Sequence, residues 1–440
     1  MEEIKNLDPL YFGLFGVGIL LVLIAIGIHI GIALAVIGIL GMSLIMGFHN
    51  AMITATSSMY FTNASYALVT LPLFILMGLL GASGGISKTL YDNLSKWTGK
   101  IRGSLGIATI IGCTAFGAVC GSSIVTAAVF AKVSAPEMRR HGYSKKTAYG
   151  LCAASGVIGM MIPPSLLAVM YGILSGLSVG KILLGGIGPG LMVAILFCGW
   201  VFFQTYFRPD LIRHIEMRKY SWKEKFRTIP QFWPVIITAL IIFGGIFGGA
   251  FSPTEAAAVA SIVILVLLIT SRGKESWKYL KEGLAETATT ATMIFLTMAG
   301  ACVFSRFLAI TGLSQKTVEI ILDINMGKTI FLILISLLYL VLGCLMDSIS
   351  MLMITIPILN PIIEPMGIDP YFFAVYVIYV GQIGIITPPF GLSVFTVKAI
   401  AEHDVSLEEI FGGTMPYLYA LCLGMVILLL FPQIITVLTK

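Results

Sequence analysis

Hydrophobic positions along this chain form long, almost unbroken runs that are separated by short polar stretches. About 20 consecutive apolar residues are enough for a helix to cross the ~30 Å hydrocarbon core of a bilayer. The pattern therefore predicts an all-α polytopic membrane protein. The first run lacks the small-residue cleavage site of a signal peptide, so we expect it to be a retained helix. Runs of spanning length lie at residues 10–28, 30–47, 182–203, 232–251, 256–270, 288–308 and 417–437.

One pattern of polar, glycine and proline positions occurs twice, with the same interval of 225 residues that separates Ser122 from Asp347. Each copy interrupts apolar sequence at two corresponding points. Paired interrupted segments point to a transport site at the interface between two repeats. The matched positions are Ser122-Ser123-Ile124, Pro136, Gly142, Gly156-Val157-Ile158-Gly159 and Pro163-Pro164 in the first half, and Asp347-Ser348-Ile349, Pro361, Gly367, Gly381-Gln382-Ile383-Gly384 and Pro388-Pro389 in the second.

The two copies predict two structural repeats, each with a re-entrant helical hairpin followed by a broken transmembrane helix. A charge-dense linker at 207–230 separates repeat one (1–206) from repeat two (231–440). In repeat one we expect scaffold helices over about 10–87, a hairpin over 103–141, a broken helix over 147–175 and a helix over 182–206. In repeat two we expect helices over 231–308, a hairpin over 328–367, a broken helix over 371–397 and a helix over 410–437.

Hydrophobic residues make up 58% of the chain and charged residues only 11%, against about 25% charged residues in soluble domains. Most Lys and Arg residues lie in loops that can all be placed on one side of the membrane, which should be cytoplasmic. The net charge of +6 thus belongs to loops and indicates no nucleic-acid partner. The basic loops lie near 96–102, 139–146, 208–227 and 272–281.

This orientation puts both termini outside and makes the two hairpins enter from opposite sides, so the repeats have inverted topology. Two short spanning helices in place of each hairpin also fit the hydropathy. The linker 207–230 fits either an amphipathic helix at the cytoplasmic interface or a solvated loop. Segments 276–286 and 50–66 are predicted to be interfacial arms that brace a scaffold.

The double prolines predict free carbonyl oxygens at membrane depth, because proline has no amide hydrogen to donate. Pro163 and Pro164 should leave the carbonyls of Gly159 and Met160 without helical partners. By the same reasoning, the second pair should free the carbonyls of Gly384 and Ile385. Such backbone is tolerated in a membrane only where it is buried in protein or lines a polar cavity, where it can bind a cation. An ordinary proline kink that neighbouring hydroxyls satisfy is the alternative.

The hairpin tips place hydroxyls and one carboxylate within otherwise apolar hairpins. Asp347 is the main candidate, because a charged group at membrane depth is costly and needs a partner. No Lys or Arg is an obvious partner, so we expect a small cation. Alternatively, Asp347 caps a helix or the tip reaches water. Helix N-termini at the same tips would suit an anionic group of a substrate.

A set of motifs across nearly the whole chain resembles the large membrane subunit of tripartite ATP-independent periplasmic (TRAP) transporters. The resemblance implies an elevator-type fold like that of the ion-transporter superfamily, which moves a carboxylate inward with sodium ions. The motifs are Cys120-Gly121-Ser122-Ser123, Ala135-Pro136-Glu137-Met138, Gly142-Tyr143, Gly156, Ile162-Pro163-Pro164-Ser165, Ser252-Pro253-Thr254-Glu255-Ala256-Ala257, Gly367-Ile368-Asp369-Pro370 and Ile386-Thr387-Pro388-Pro389.

The resemblance also implies roles for individual residues. It implies two sodium sites, and the first has fewer side-chain oxygens than the second. In the first half of the pattern, Ile162 occupies the position of Thr387 and Val125 occupies the position of Ser350. Sodium site 1 would comprise Ser122, Ser123, Gly159 and Ile162, and sodium site 2 would comprise Asp347, Ser348, Ser350, Gly384 and Thr387. The substrate would lie between the tips, near Gly121, Thr126, Pro163, Pro164, Ser165, Pro388 and Pro389.

The implied function is secondary active, sodium-coupled uptake of an organic acid such as a C4-dicarboxylate or sialic acid. A periplasmic binding protein would deliver the substrate, and a separate small four-helix subunit would pack against this unfused large subunit. The implied location is a bacterial or archaeal inner membrane. A sodium- or proton-coupled anion transporter that works without a binding protein is the alternative, and a channel is a more distant one.

Enzyme activity is not indicated. The sequence has no phosphate loop of the type Gly-x-x-x-x-Gly-Lys-Ser/Thr and no His-Glu-x-x-His motif. Seven cysteines without a Cys-x-x-Cys spacing suggest neither a metal site nor a disulfide framework. We therefore expect no organic cofactor and no bound metal other than sodium.

Overall fold

The computed structural model describes residues 9–99, 103–207, 220–324 and 326–439, and these residues form helices and connecting loops without a strand. The first half contains thirteen α-helices. They are α1 (Pro9–Ala25), α2 (Ile30–Met46), α3 (Phe48–Asn63), α4 (Thr70–Ser83), α5 (Ile86–Thr98), α6 (Ser104–Cys120), α7 (Ser123–Val133), α8 (Ala135–Arg140), α9 (Lys145–Ser155), α10 (Ile158–Met161), α11 (Leu166–Ser175), α12 (Val179–Gly185) and α13 (Ile187–Phe207).

The second half contains twelve α-helices in the described residues, and a pair of helices followed by a helix interrupted at a double proline occurs in both halves. Short 3-10 turns precede α4, α15 and α18, and a π-turn at Leu240–Gly244 joins α15 to α16. The helices are α14 (Trp222–Phe226), α15 (Trp233–Ala239), α16 (Gly245–Phe247), α17 (Pro253–Arg272), α18 (Ser276–Thr311), α19 (Leu313–Asp323), α20 (Lys328–Leu345), α21 (Ser348–Ile363), α22 (Pro370–Gly384), α23 (Leu392–Ile400), α24 (Leu407–Leu430) and α25 (Gln433–Thr436).

Six helical stretches in the described residues are long and apolar enough to cross a membrane, or seven if the bent pair Lys145–Met161 and Leu166–Ser175 counts as one span. The prediction of an all-helical, multi-pass membrane protein is therefore confirmed. Most predicted runs became helices with slightly different ends. The predicted helix over 410–437 is interrupted, because α24 ends at Leu430 and a separate turn of helix, α25, follows Pro432.

Helices α2 and α18 pack closely through glycines. A Cβ atom built on Gly300 would lie 2.1 Å from the carbonyl oxygen of Gly31, so only hydrogen fits at this contact. Helix α18 is one continuous helix of 36 residues. The predicted interfacial segment at 276–286 forms the first turns of α18, and its place at the membrane interface stays a prediction.

Helix α4 packs against α17 in the same layer. The hydroxyls of Thr70 and Thr254 are 2.7 Å apart, and Ser261 Oγ donates to the carbonyl of Leu73 (2.9 Å). A capping box between Ser252 and Glu255 starts α17, which gives the Glu255 carboxylate a structural role. The α2–α18 and α4–α17 pairs together form a layer of long helices beside the hairpins.

The first hairpin region forms two helices that run antiparallel. The rings of Phe116 in α6 and Phe130 in α7 have centroids 5.9 Å apart. Nearer the open end, the N–H of Gly106 donates to Tyr143 Oη (3.3 Å). Both contacts join a residue before position 121 to a residue after it, at similar distances along the chain. The chain therefore reverses its direction between them. The reversal falls at Gly121, which has a positive φ of 64°.

The second hairpin region reverses in the same way. Tyr339 Oη in α20 lies 2.6 Å from Thr355 Oγ1 in α21. At the open end, Lys328 Nζ donates to the carbonyl of Gly367 (2.7 Å). The reversal falls between Leu345, where α20 ends, and Ser348, where α21 begins.

Both predicted broken helices are interrupted at their double prolines, and both Pro-Pro bonds are cis. Helices α9 and α10 meet α11 with a bend of 41°. In the second half, α22 ends at Gly384 and α23 begins only at Leu392, so this gap is longer. Each half contacts the other, since α11 packs against α21 and α23 packs against α7.

Half of the predicted linker at 207–230, residues 208–219, lies outside the described residues. The described part contains the short helix α14, which is anchored on α5. Trp222 and Phe226 pack against Trp97, and Lys225 Nζ donates to the carbonyl of Trp97 (3.0 Å) near the end of α5. A cation at a helix C-terminus is favourable. This contact ties the start of the second half to the first.

Candidate functional site

The first hairpin tip lies directly on the first proline break. A Cβ atom on Gly121 would lie 2.3 Å from the carbonyl oxygen of Pro164, and the Leu166 N–H donates to the carbonyl of Gly121 (3.4 Å). Ser122 caps α7, because its Oγ accepts a hydrogen bond from the N–H of Val125 (3.4 Å). The tip and the break that were predicted from sequence are therefore in direct contact.

Thr126 and Gly159 meet beside this tip. A Cβ atom on Gly159 would lie 2.4 Å from Thr126 Oγ1, and the Thr126 hydroxyl donates to the carbonyl of Ser122 (2.7 Å). Among the hydrogen bonds of the described residues, none ends on the carbonyl oxygens of Gly159 or Met160. Both carbonyls are thus without donors, as the proline argument predicts.

Ile162 and Ser165 flank the first break. Ile162 has extended backbone (φ −74°, ψ 128°), as expected for a residue that precedes proline. The Ser165 hydroxyl caps α11 by accepting a hydrogen bond from the N–H of Ala168 (3.3 Å). Pro163 and Pro164 are both buried, so the first break is enclosed by protein.

The second tip is organised by Asp347, which caps α21. Its Oδ2 accepts hydrogen bonds from the N–H groups of Ile349 (3.0 Å) and Ser350 (3.2 Å), and its Oδ1 accepts one from the Ser350 hydroxyl. No Lys, Arg or His in the described ranges forms an ion pair with this half-buried carboxylate. The capping alternative considered from sequence is therefore realised, and the charge has no protein counter-ion there.

The second break differs from the first, and the prediction that it frees the carbonyls of Gly384 and Ile385 is wrong. The carbonyl of Gly384 accepts from the Thr387 N–H (3.0 Å), and that of Ile385 accepts from the Ser393 N–H (3.1 Å). The longer gap before α23 lets the chain turn back and supply these donors. The Thr387 hydroxyl donates to the carbonyl of Ile383 (2.7 Å), and Pro388 and Pro389 are exposed.

Each hairpin touches its broken helix at a pair of glycines. A Cβ atom on Gly117 would lie 2.7 Å from the Cα of Gly159, and one on Gly384 would lie 2.6 Å from the Cα of Gly343. The backbones therefore meet without intervening side chains. These contacts hold each tip at the level of its proline break.

Gln382 lies beside the second hairpin tip and was not singled out by sequence reasoning. Its side chain is completely buried on α22, and its Nε2 lies 3.5 Å from Ser348 Oγ at the start of α21. Its Oε1 has no hydrogen-bond partner within the described structure. The available signal was a glutamine in an apolar helix at the position that matches Val157 in the first half.

A large cavity of about 1230 Å³ lies beside the first hairpin, between α7–α8 on one side and α5, α17 and α18 on the other. Its lining is rich in cations, with fewer carboxylates. This charge balance favours anions. The charged residues of the lining are Lys88, Lys96, Lys132, Arg140 and Arg272, together with Asp92 and Glu137.

Comparison with solved structures supports the fold alone. The YdaH transporter of Alcanivorax borkumensis aligns with a TM-score of 0.64 at 15% identity, covering 88% of this chain and 89% of that one. The Neisseria gonorrhoeae MtrF structure aligns with a TM-score of 0.58 at 14% identity, covering 87% and 84%. The overall fold of this chain is therefore similar to the folds of these two proteins.

Comparison with known sequences is more specific. The sialic acid TRAP transporter large permease protein SiaM of Vibrio cholerae is 33% identical over 369 residues, which cover 84% of this chain and 85% of that protein. The ectoine TRAP transporter large permease protein TeaC of Halomonas elongata is 32% identical over 416 residues, covering 94% and 95%. These relatives are named transporter permeases rather than enzymes.

The family model described as the DctM component of tripartite ATP-independent periplasmic transporters matches residues 17–434. That range includes both hairpins, both proline breaks and the layer of long helices beside them. The chain therefore belongs to the DctM family and is a large membrane subunit of a TRAP transporter.

Proposed function

We propose that this permease carries an organic anion into the cell together with sodium ions. The observation that carries the proposal is the meeting of each capped hairpin tip with a broken helix, where free carbonyls lie at one site and an unpaired carboxylate at the other. Related permeases are named for sialic acid, C4-dicarboxylates and ectoine. A carboxylate is common to these three compounds and is the substrate class proposed here.

The two proposed sodium sites use different oxygens. Site 1 is built from Ser122 and Ser123 at the tip and from the backbone of Gly159 and Ile162, and the donor-free carbonyl of Met160 joins this set. Backbone carbonyls at half-broken helices are suited to coordinating sodium. Since no internal N–H or O–H group occupies the carbonyls of Gly159 and Met160, these oxygens are free to bind a cation. Site 1 would therefore depend mainly on main-chain oxygen.

Site 2 depends on side-chain oxygen. Its members are Asp347, Ser348, Ser350, Gly384 and Thr387. The backbone of this break already accepts internal hydrogen bonds. The buried Gln382 contacts Ser348 through Nε2 (3.5 Å), and its Oε1, which has no partner among the described residues, adds a further neutral oxygen to the proposed set.

The substrate anion is proposed to lie between the tips, near Gly121, Thr126, Pro163, Pro164, Ser165, Pro388 and Pro389. Some N–H groups at the starts of α7 and α21 already donate to the side chains of Ser122 and Asp347, so these groups are not free to bind the substrate. The cation-lined cavity beside hairpin one supplies the positive potential that attracts the anion. This cavity is the proposed route between the site and the cytoplasm.

The proposed mechanism is an elevator with inverted repeats. Hairpin one would open to the cytoplasm and hairpin two to the periplasm, with both termini periplasmic. The hairpins and broken helices would move against the α2–α18 and α4–α17 layer. A separate four-helix membrane subunit and a periplasmic binding protein are the proposed partners, and the proposed location is the inner membrane.

Melting of the purified protein in sodium, potassium and choline chloride at matched ionic strength tests the coupling ion. A ligand that binds only the folded state stabilises it by about 2.7 kcal/mol at 100 times its dissociation constant. We expect a rise in melting temperature that is specific to sodium. Equal melting in the three salts would contradict sodium coupling and make Asp347 a candidate proton site.

Uptake by proteoliposomes that contain the permease and its small subunit tests the transport proposal. We expect saturable uptake that needs both a sodium gradient and the binding protein. Uptake that persists without the binding protein would favour a transporter that works alone. Ion flux without saturable exchange would favour a channel.

Gln382→Leu is expected to weaken sodium affinity by about tenfold, which corresponds to a loss of about 1.4 kcal/mol. Without sodium, this variant should be as stable as the wild type or more stable, since a buried oxygen without a partner costs about 1–3 kcal/mol. Thr287→Val is the matched control, because Thr287 Oγ1 in α18 is also buried without a partner. Equal sodium titrations for wild type and Gln382→Leu would remove Gln382 from the site.

A further inference from the structure

Arg272 is held in a fixed position in the wall of the large cavity beside hairpin one. Its Nε donates to the carbonyl of Ser83 at the end of α4 (3.0 Å), and its guanidinium lies 5.3 Å from the centroid of the Tyr279 ring in α18. Arg272 is itself the last residue of α17. Three helices of the layer of long helices therefore hold this guanidinium, and none of them belongs to a hairpin.

The outer N–H groups of Arg272 remain unpaired. Within the described ranges no carboxylate forms an ion pair with Arg272, whereas Arg140 in the opposite wall pairs with Glu137 (3.5 Å). The Arg272 side chain is exposed and lines the cavity. A guanidinium that is fixed through its Nε and the face of its plane can bind a carboxylate through two parallel hydrogen bonds.

Lys88 adds a positive charge to the same wall. The Nη2 atom of Arg272 lies 3.8 Å from the position of a Cβ atom on Gly85, directly before α5, and Lys88 follows in the first turn of that helix. Lys88 forms no ion pair within the part of the chain that the structure describes. Asp92 and Lys96 lie further along α5 in the same wall, so cations outnumber carboxylates there and favour an anion.

The cavity follows hairpin one but is separate from the hairpin tip. Its hairpin wall includes Val129, Lys132 and Val133 of α7, the helix that begins at Ser123 beside the tip. None of the proposed sodium or substrate residues lines the cavity. Binding of an anion in this cavity would therefore involve none of the proposed sodium ligands, which separates it experimentally from binding at the tips.

We propose that Arg272 and Lys88 form a second binding site for the substrate carboxylate, which receives the anion after it leaves the hairpin tips. This inference rests on the proposed transport of a carboxylate and adds a release site on the proposed cytoplasmic side. The outer N–H groups of Arg272 bind the carboxylate oxygens, and Lys88 adds a point charge. Because Arg272 is fixed to the long helices, the release site stays in place while hairpin one returns without substrate.

Protection of arginine from phenylglyoxal tests the site in purified wild-type protein. The reagent modifies accessible guanidinium groups, and peptide mass spectrometry measures the rate at each arginine. In sodium-free choline chloride, we expect succinate or N-acetylneuraminate to slow the modification of Arg272. The rate at the exposed Arg227, which does not line the cavity, should stay unchanged. Equal slowing by chloride or sulfate at matched ionic strength would overturn the carboxylate site, as would no slowing by either carboxylate.

Lys88→Gln locates the binding in the same assay. The carboxylate concentration that half-protects Arg272 is expected to rise by about tenfold, as for the loss of a hydrogen bond between charged groups. Lys274→Gln is the matched control, because it removes a positive charge two residues from Arg272 but outside the cavity lining. Half-protection at the wild-type concentration in Lys88→Gln, or an equal rise in Lys274→Gln, would refute the assignment of Lys88 to the site.

Exchange across proteoliposomes tests whether the site acts in release. Arg272→Gln should raise the internal substrate concentration that half-saturates exchange by about tenfold, and should leave the external concentration that half-saturates uptake unchanged. Equal changes on both sides, or on neither, would overturn the release site. If the wild type shows no transport but Arg272 is still protected by carboxylates, the proposed function fails while the anion site stands.

Discussion

Asp347→Asn is expected to abolish the sodium-dependent rise in melting temperature and to lower uptake at limiting sodium by about tenfold or more. The substitution removes the charge but keeps a good N-cap, because an asparagine oxygen can still accept from the N–H groups of Ile349 and Ser350. Hydrogen bonds to a charged group contribute about 1.5–3 kcal/mol. Loss of the charge should therefore weaken sodium affinity by about tenfold or more, since about 1.4 kcal/mol corresponds to a factor of ten. Sodium titrations of melting and of proteoliposome uptake measure both effects.

Asp369→Asn is the matched control for this experiment. Asp369 caps α22 by accepting a hydrogen bond from the N–H of Phe372 (2.8 Å), so it undergoes the same change at another helix start. This control should titrate with sodium like the wild type. A normal sodium response in Asp347→Asn would mean that Asp347 serves only as a cap.

Gly384→Ala is expected to lower the melting temperature strongly and to stop transport. The new methyl would lie 2.6 Å from the Cα of Gly343 and 2.9 Å from its carbonyl carbon, which are backbone atoms that cannot rotate away. Overpacking of this kind typically costs about 1–3 kcal/mol, and more when backbone must move. The displaced hairpin would also separate Asp347 from the broken helix. Melting and uptake of the purified variant measure the two consequences.

Gly199→Ala provides the corresponding control, since a Cβ atom at Gly199 on α13 would have no heavy atom within 4 Å. Alanine is favoured over glycine in a helix interior by about 1 kcal/mol, so this variant should melt at or slightly above the wild-type temperature. If Gly384→Ala and Gly199→Ala behave alike, the hairpin and the broken helix are not in rigid contact.

The positions of the tips and breaks could be predicted from the sequence because glycine and proline act locally. Proline removes a donor wherever it stands, so Gly159 and Met160 lost their helical partners as expected. The cap at Ser122 follows the same local chemistry. Features governed by one or two neighbouring residues were therefore accessible without a structure.

Features that depend on distant residues were not accessible in this way. The carbonyl of Ile385 is satisfied by the N–H of Ser393, and only the path of the chain after the prolines decides that. The role of Gln382 likewise depends on its proximity to Ser348 on another helix. Apolar sequence alone could not show these contacts, because most positions in a membrane helix are hydrophobic whichever neighbour they face.

The two broken helices therefore differ more than their matched sequences suggest. At the first, the prolines are buried and two carbonyls are free, whereas at the second the prolines are exposed and the backbone is satisfied. The proposed site 1, built largely from main-chain oxygen, would be insensitive to most side-chain substitutions. The proposed site 2 relies on the side chains of Asp347 and Gln382 and would be changed by a single substitution, so we expect variation in ion dependence to arise there.

The unbroken helix α18 has a further consequence for the surrounding bilayer. At 36 residues it is about 54 Å long, well beyond a ~30 Å hydrocarbon core. Its apolar part, residues 288–308, is about 31 Å long and matches that core, so the first turns, which carry Lys278, Lys281, Glu282 and Glu286, must extend beyond it into the interface. The helix contains no proline, and its backbone meets that of α2 where Gly300 lies against Gly31. We therefore expect the interfacial turns, the spanning part of α18 and α2 to tilt together when the thickness of the membrane changes.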